Sequence, residues 1–172
     1  MSEYIVETKS RKELRHLALV FRKWLGLENE LWVPIVELLD ILAKVLKEFS
    51  YEIVPDDALP PGTHAETDIR TGHITIKESV YERACDGEGR DRMTIAHEIG
   101  HFLTLCVCGF KLQRNFSKQK VKRFNDPEWH AKCFAGEFLV PYHLTGNMTA
   151  EEIVNACGVS FDAAHYQLSH RN

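Results

Sequence analysis

His97-Glu98-Ile99-Gly100-His101 lies in a proline-free apolar run, and no other feature narrows the possible folds as far. Residues four apart on an α-helix share a face, so both imidazoles point the same way and can hold one divalent cation. Glu98 then lies beside the open coordination position, where a general base is needed. The flanking residues argue for a helix packed in a core. Ile95, Ile99 and Phe102 fall on one stripe and the two histidines on another, and Asp91 is placed to cap the start. Gly100 in mid-helix costs about 1 kcal/mol relative to Ala, which predicts a close neighbour there. The segment from Met93 to Cys108 is too apolar for a surface helix. Two histidines inside it need partners, and a metal ion supplies one.

A catalytic Zn2+ takes three protein ligands and leaves a fourth position for water. Downstream, Asp126-Pro127-Glu128 reads as a helix start, with Asp at the N-cap, Pro in the first turn and Glu beside it. Glu128, Ala131 and Ala135 share a face, and the small residues allow close approach to the first helix. Pro141 ends this second helix. Acidic residues also favour helix N-termini through the macrodipole. Spacing therefore leaves His130, in the same turn, and His143, just past the helix, as rivals to Glu128 for the third ligand position. Tyr142 and His143 are the candidate donors to a developing oxyanion, or else packed surface residues.

The run Arg90-Asp-Arg92-Met-Thr94-Ile-Ala96-His97-Glu98-Ile-Gly100-His101 resembles the Arg-x-Arg-Phe-Thr-Leu-Ala-His-Glu-Leu-Gly-His block of the ImmA/IrrE metallopeptidases. Glu128-Trp-His-Ala131-Lys-Cys-Phe134-Ala135-Gly-Glu-Phe-Leu139-Val140-Pro141 resembles that family's second block, Glu-x-x-Ala-x-x-Phe-Ala-x-x-Leu-Leu-Met-Pro. Met93 replaces the usual Phe, and Lys132, Phe138 and Val140 replace other common choices; none falls on a ligand or base position. The similarity covers residues 30–170. It implies that Glu128 is the third ligand to zinc beside His97 and His101, and that Glu98 is the catalytic base. It also implies a setting in bacteria and mobile elements, with a helix-turn-helix repressor as the protein substrate, cleaved to relieve repression.

A chain of 172 residues is long enough for one domain that buries roughly 70% of its unfolded surface. The expected divisions are N-terminal helices over residues 1–50, a sheet with the active-site helices over 51–141, and a C-terminal helix pair over 142–172. No run is long enough for a membrane span, and the N-terminus has no signal-peptide pattern. Five cysteines in no scaffold-like spacing fit a reduced, cytoplasmic protein. Cys106 and Cys108 read as core filling rather than a soft-metal pair. The net charge of −4 argues against general nucleic-acid binding. The basic run from Lys111 to Arg123, with Lys118 and Lys120 inside it, reads as a solvated connector, and alternatively as a docking patch for an acidic partner or DNA.

Periodicity places helices over residues 10–26 and 34–49. Strands are expected at 51–54, 65–70 and 73–77, the last two forming a hairpin around Thr71-Gly72. Strand 73–77 is expected at the sheet edge beside the cleft, where an extended peptide could add to it. His73 there reads as an exposed strand residue or a cleft residue. Thr149 and Glu152 form a capping box, and Ser160 caps a last helix after a Gly158 turn. This pair resembles a helix-turn-helix, but the second helix has no Arg or Lys from Ser160 to Ser169, so it reads as structural or partner-facing.

The expected fold is α+β and zincin-like, with a small three-stranded sheet, the His-Glu-x-x-His helix, a second ligand-bearing helix and a C-terminal helix pair. The expected activity is zinc-dependent cleavage of a protein. A competing reading is a catalytically silent zinc-binding module acting on a repressor or DNA, whose fourth metal position would be filled by a protein atom.

Overall fold

The computed structural model describes residues 4–114 and 121–171. A short strand β1 (Tyr4–Ile5) leads into α1 (Arg11–Trp24), which Ser10 opens with a complete capping box to Glu13. Helix α2 (Ile35–Val45) follows. It ends four residues before the expected Phe49, because Leu46 leaves the helix in extended conformation. That turns Phe49 inward, edge-on to Phe102 at 4.9 Å between ring centroids.

Strands β2 (Ser50–Val54), β3 (Ala65–Asp68) and β4 (His73–Lys77) form a mixed sheet in the order β2-β4-β3. β2 runs parallel to β4 and β3 antiparallel to it. The expectation that 73–77 is the cleft-side edge is therefore wrong: β4 is the central strand and β3 the edge. The hairpin was legible, but nothing local says on which side of it β2 docks. Ile74 and Ile76 of β4 are fully buried. His73 instead faces β2, 2.8 Å from Ser50 Oγ and 3.4 Å from Glu52.

The expected layout assigned nothing to residues 78–85, which form α3 (Glu78–Cys85) with Val80 and Ala84 buried. Helix α4 (Gly89–His101) carries the histidine pair. It starts two residues before Asp91, so Asp91 is not its cap. That carboxylate sits in the first turn and accepts from Arg83 at 2.7 and 3.3 Å. Beyond His101 the helix widens into a π-helical turn over Phe102–Val107, and Cys108, expected in the core, is exposed.

Strand β5 (Gln113–Arg114) pairs antiparallel with β1, an unforeseen two-stranded ribbon. A 3₁₀ turn (Arg123–Asn125) precedes α5 (Pro127–Leu139), which Asp126 caps through the Glu128 amide. The remaining elements are α6 (Ala150–Cys157) and α7 (Phe161–Ser169), joined through left-handed Gly158. Lys118 and Lys120 of the basic run lie outside the described residues.

The fold is α+β, and its core places α4 between the sheet and α5. Ile95, Ile99 and Phe102 are fully buried, as are Ala131, Phe134, Ala135 and Phe138 of α5. Helices α4 and α5 approach closely at Gly100. A Cβ there would lie 3.0 Å from the Ala131 carbonyl oxygen and 3.1 Å from Phe134 Cδ1. Arg92, almost wholly buried, ties the start of α4 to its surroundings. It donates to the Val33 and Gly158 carbonyls at 2.8 and 2.9 Å and stacks on Trp32. No helix among the described residues is long and apolar enough to cross a membrane.

Candidate metal centre

The one-turn separation of His97 and His101 brings their Nε2 atoms to 3.1 Å, with the rings at 88°. Glu128 enters from the first turn of α5, its two carboxylate oxygens each 3.3 Å from one imidazole Nε2. These three side chains offer ligand atoms that all lie within 4.8 Å of one another. For a tetrahedral ion with Zn–N and Zn–O bonds near 2.0–2.1 Å, ligand atoms stand about 3.3–3.4 Å apart. The 3.1 Å between the two imidazole nitrogens is close to that edge length, Glu128 turns one oxygen toward each ring, and the donor set of two imidazoles and one carboxylate suits a borderline cation such as Zn2+.

Electrostatics point the same way. Burial lowers the affinity of His101 for a proton, but hydrogen bonding and charge from Glu128 outweigh it, so its pKa is raised. Hydrogen bonds from His101 and then His97 hold the Glu128 carboxyl well below the ordinary carboxylate range. Without a metal, a proton on His101 is favoured beside the carboxylate. A divalent cation can take its place.

The rival ligands lie elsewhere. His130 is buried with Nε2 2.9 Å from the Phe124 carbonyl, and burial lowers its pKa. His143 Nε2 is 2.8 Å from the Glu28 carbonyl, far along the chain from the triad. Tyr142 stacks under Arg15 at 4.1 Å. Neither Tyr142 nor His143 lines the cleft that contains His97, His101 and Glu128.

That cleft has a volume of about 440 Å3. His97, Glu98 and His101 line it, as do Glu66 and Thr67 of β3 and Thr63 just before that strand. Tyr4 of β1 and Leu112, just before β5, also line it. Glu98 is 7% exposed, and its Oε2 accepts from Thr67 Oγ1 at 2.7 Å. The same hydroxyl lies 3.2 Å from the Glu98 carbonyl oxygen. Sequence reading missed Thr67. A threonine in a predicted strand is unremarkable, and only the packing of β3 on α4 brings it to Glu98.

The sequence profile described as the IrrE N-terminal-like domain, a peptidase family, matches residues 56–169, about two-thirds of the chain. No curated protein matches the chain. Among solved structures, the fold is similar to that of a Mycobacterium tuberculosis transcriptional regulator, with a TM-score of 0.61 at 18% identity. The alignment covers 92% of this chain and 46% of the regulator, so the chain spans about half that protein's length.

Proposed function

The chain belongs to the IrrE N-terminal-like peptidase family, and we propose that it is a zinc-dependent endopeptidase acting on a protein substrate. The observation that carries this reading is the convergence of His97, His101 and Glu128, whose ligand atoms lie within 4.8 Å of one another, with Glu98 one helical position away. In this reading His97, His101 and Glu128 hold the ion. When bound, zinc polarises the scissile carbonyl and brings the pKa of a coordinated water down toward about 7.

The residues of the chain do the rest. Glu98 accepts a proton from the attacking water and later delivers it to the leaving amine. A purely structural site has no use for such a base. The outer edge of β3 has no strand partner among the described residues and borders the cleft. An extended substrate segment can pair with it, main chain to main chain, which aligns a peptide carbonyl over the site. We assign the substrate class to helix-turn-helix repressors, following the resemblance of the two sequence blocks, and place the reaction in the cytoplasm.

The test is direct. Metal-loaded protein is mixed with the repressor-type product of a neighbouring gene, and fragments are identified by mass spectrometry. One discrete cut, absent in Glu98→Gln, supports the proposal. Stoichiometric zinc without any cut, together with a protein atom in the fourth metal position, would favour the silent regulatory module.

A further inference from the structure

We propose that Thr67 is a positioning residue for the base: its hydroxyl holds one oxygen of the Glu98 carboxylate and leaves the other to take the proton. The inference deepens the endopeptidase reading and rests on Glu98 being its base. Thr67 lies on β3 opposite Ile74, and Ala65 lies opposite Ile76. Directly opposed residues of an antiparallel pair point to the same face. Ile74 and Ile76 are fully buried and Ala65 nearly so, which makes this the inner face of the sheet, packed toward α4. Thr67 puts a hydroxyl on that largely apolar face.

A buried carboxylate loses its hydration and is costly unless a donor replaces it. Thr67 Oγ1 supplies a donor at 2.7 Å. A hydroxyl has one proton, and the Glu98 carbonyl at 3.2 Å is the weaker acceptor because it is longer and uncharged. The geometry therefore favours donation to the carboxylate. That hydrogen bond ties the edge strand to the turn of α4 that carries Glu98. Since the edge strand is also where a substrate segment would pair, the strand that seats the peptide is the strand that aims the base.

A purely structural Thr67 would serve as a β-branched residue that fits a strand, with the hydroxyl incidental. Valine keeps that shape and removes the donor, whereas serine keeps the donor and removes the methyl group. Crystal structures of the full-length wild type, Thr67→Val and Thr67→Ser are compared first. The expected result is a Glu98 side chain ordered in wild type and serine variant but displaced or multiply oriented in the valine variant. Zinc-loaded proteins are then titrated with acetohydroxamic acid, whose acidic proton can be taken up by a correctly placed Glu98 carboxylate. Affinity should drop about tenfold for Thr67→Val, as for loss of one charge-assisted hydrogen bond, and recover in Thr67→Ser.

Thr67→Ala provides a second hydroxyl-free variant should valine disturb the fold. An unmoved Glu98 and unchanged hydroxamate affinity in both Val and Ala variants would overturn the proposal. Failure of the wild type to cut any protein would instead count against the endopeptidase reading, while the position of Glu98 in the crystals still decides the role of Thr67.

Discussion

Helices α4 and α5 meet at the candidate metal centre in opposite ways. α4 presents His97, Glu98 and His101 from its C-terminal end, where it runs on into the π-helical turn, and His101 and Glu98 are 9% and 7% exposed. α5 presents Glu128 from its first turn, with the side chain 64% exposed. On α4 the backbone itself sets the spacing of the side chains, because one helical turn superimposes positions four apart. On α5 the carboxylate reaches its place only if the whole helix sits close to α4. Two of the proposed ligands are thus built into local structure, and the third depends on packing.

Five experiments bear on that contrast. Glu98→Gln should have the largest effect. Cleavage should fall by at least the 10²–10⁴-fold typical of a lost general base, with zinc content by elemental analysis unchanged. Loss of zinc from that variant would show that Glu98 belongs with the ligands rather than beside them.

Removing a ligand from either helix should weaken zinc by more than the roughly 10–100-fold that loss of an outer partner costs. The two removals should differ in the apo protein. His101→Ala empties a buried position and should lower the melting temperature, whereas Glu128→Ala should leave it nearly unchanged. Equal melting behaviour would erase the proposed distinction. The pH dependence separates them further. Metal binds the unprotonated imidazole, and the raised pKa of His101 means its proton starts to compete at a higher pH than an ordinary histidine. Zinc retention should therefore fall as pH drops through that raised value. In Glu128→Gln, which lacks the charge that raises it, proton competition should begin only at lower pH, whatever the overall loss of affinity.

The helix–helix approach can be loosened without touching a ligand. Gly100→Val drives a branched side chain against the Ala131 backbone and the Phe134 ring. A cost of about 1–3 kcal/mol in denaturant unfolding is expected, with weaker zinc binding because Glu128 is moved away from the histidines. A destabilised protein with unaltered zinc affinity would mean that Glu128 reaches the site independently of this contact. The smallest effect is expected from Asp126→Ala, which removes the cap of α5. It should cost about 1 kcal/mol and leave α4 intact by hydrogen exchange.

The same contrast explains what could be read in the chain. The α4 stripe of Ile95, Ile99 and Phe102, the close neighbour at Gly100, the Asp126 cap and the Gly158 turn are all properties of a few consecutive residues, and each was legible. Helix α3 carried a readable signal in Val80 and Ala84, four apart, that the expected layout passed over. The β1–β5 ribbon was not legible, because two residues of strand on each side carry no period, and the partners are more than a hundred positions apart.

Local periodicity by itself determined that two imidazoles and a carboxylate would crowd one helical turn, since helix geometry links spacing to direction without reference to the rest of the chain. Tertiary structure decided three things. It brought Glu128 rather than His130 or His143 to the histidines, made β3 rather than β4 the open edge, and set the Thr67 hydroxyl on Glu98. Each of these joins residues far apart in sequence, and such contacts form only when buried faces select one mutual arrangement of sheet and helices.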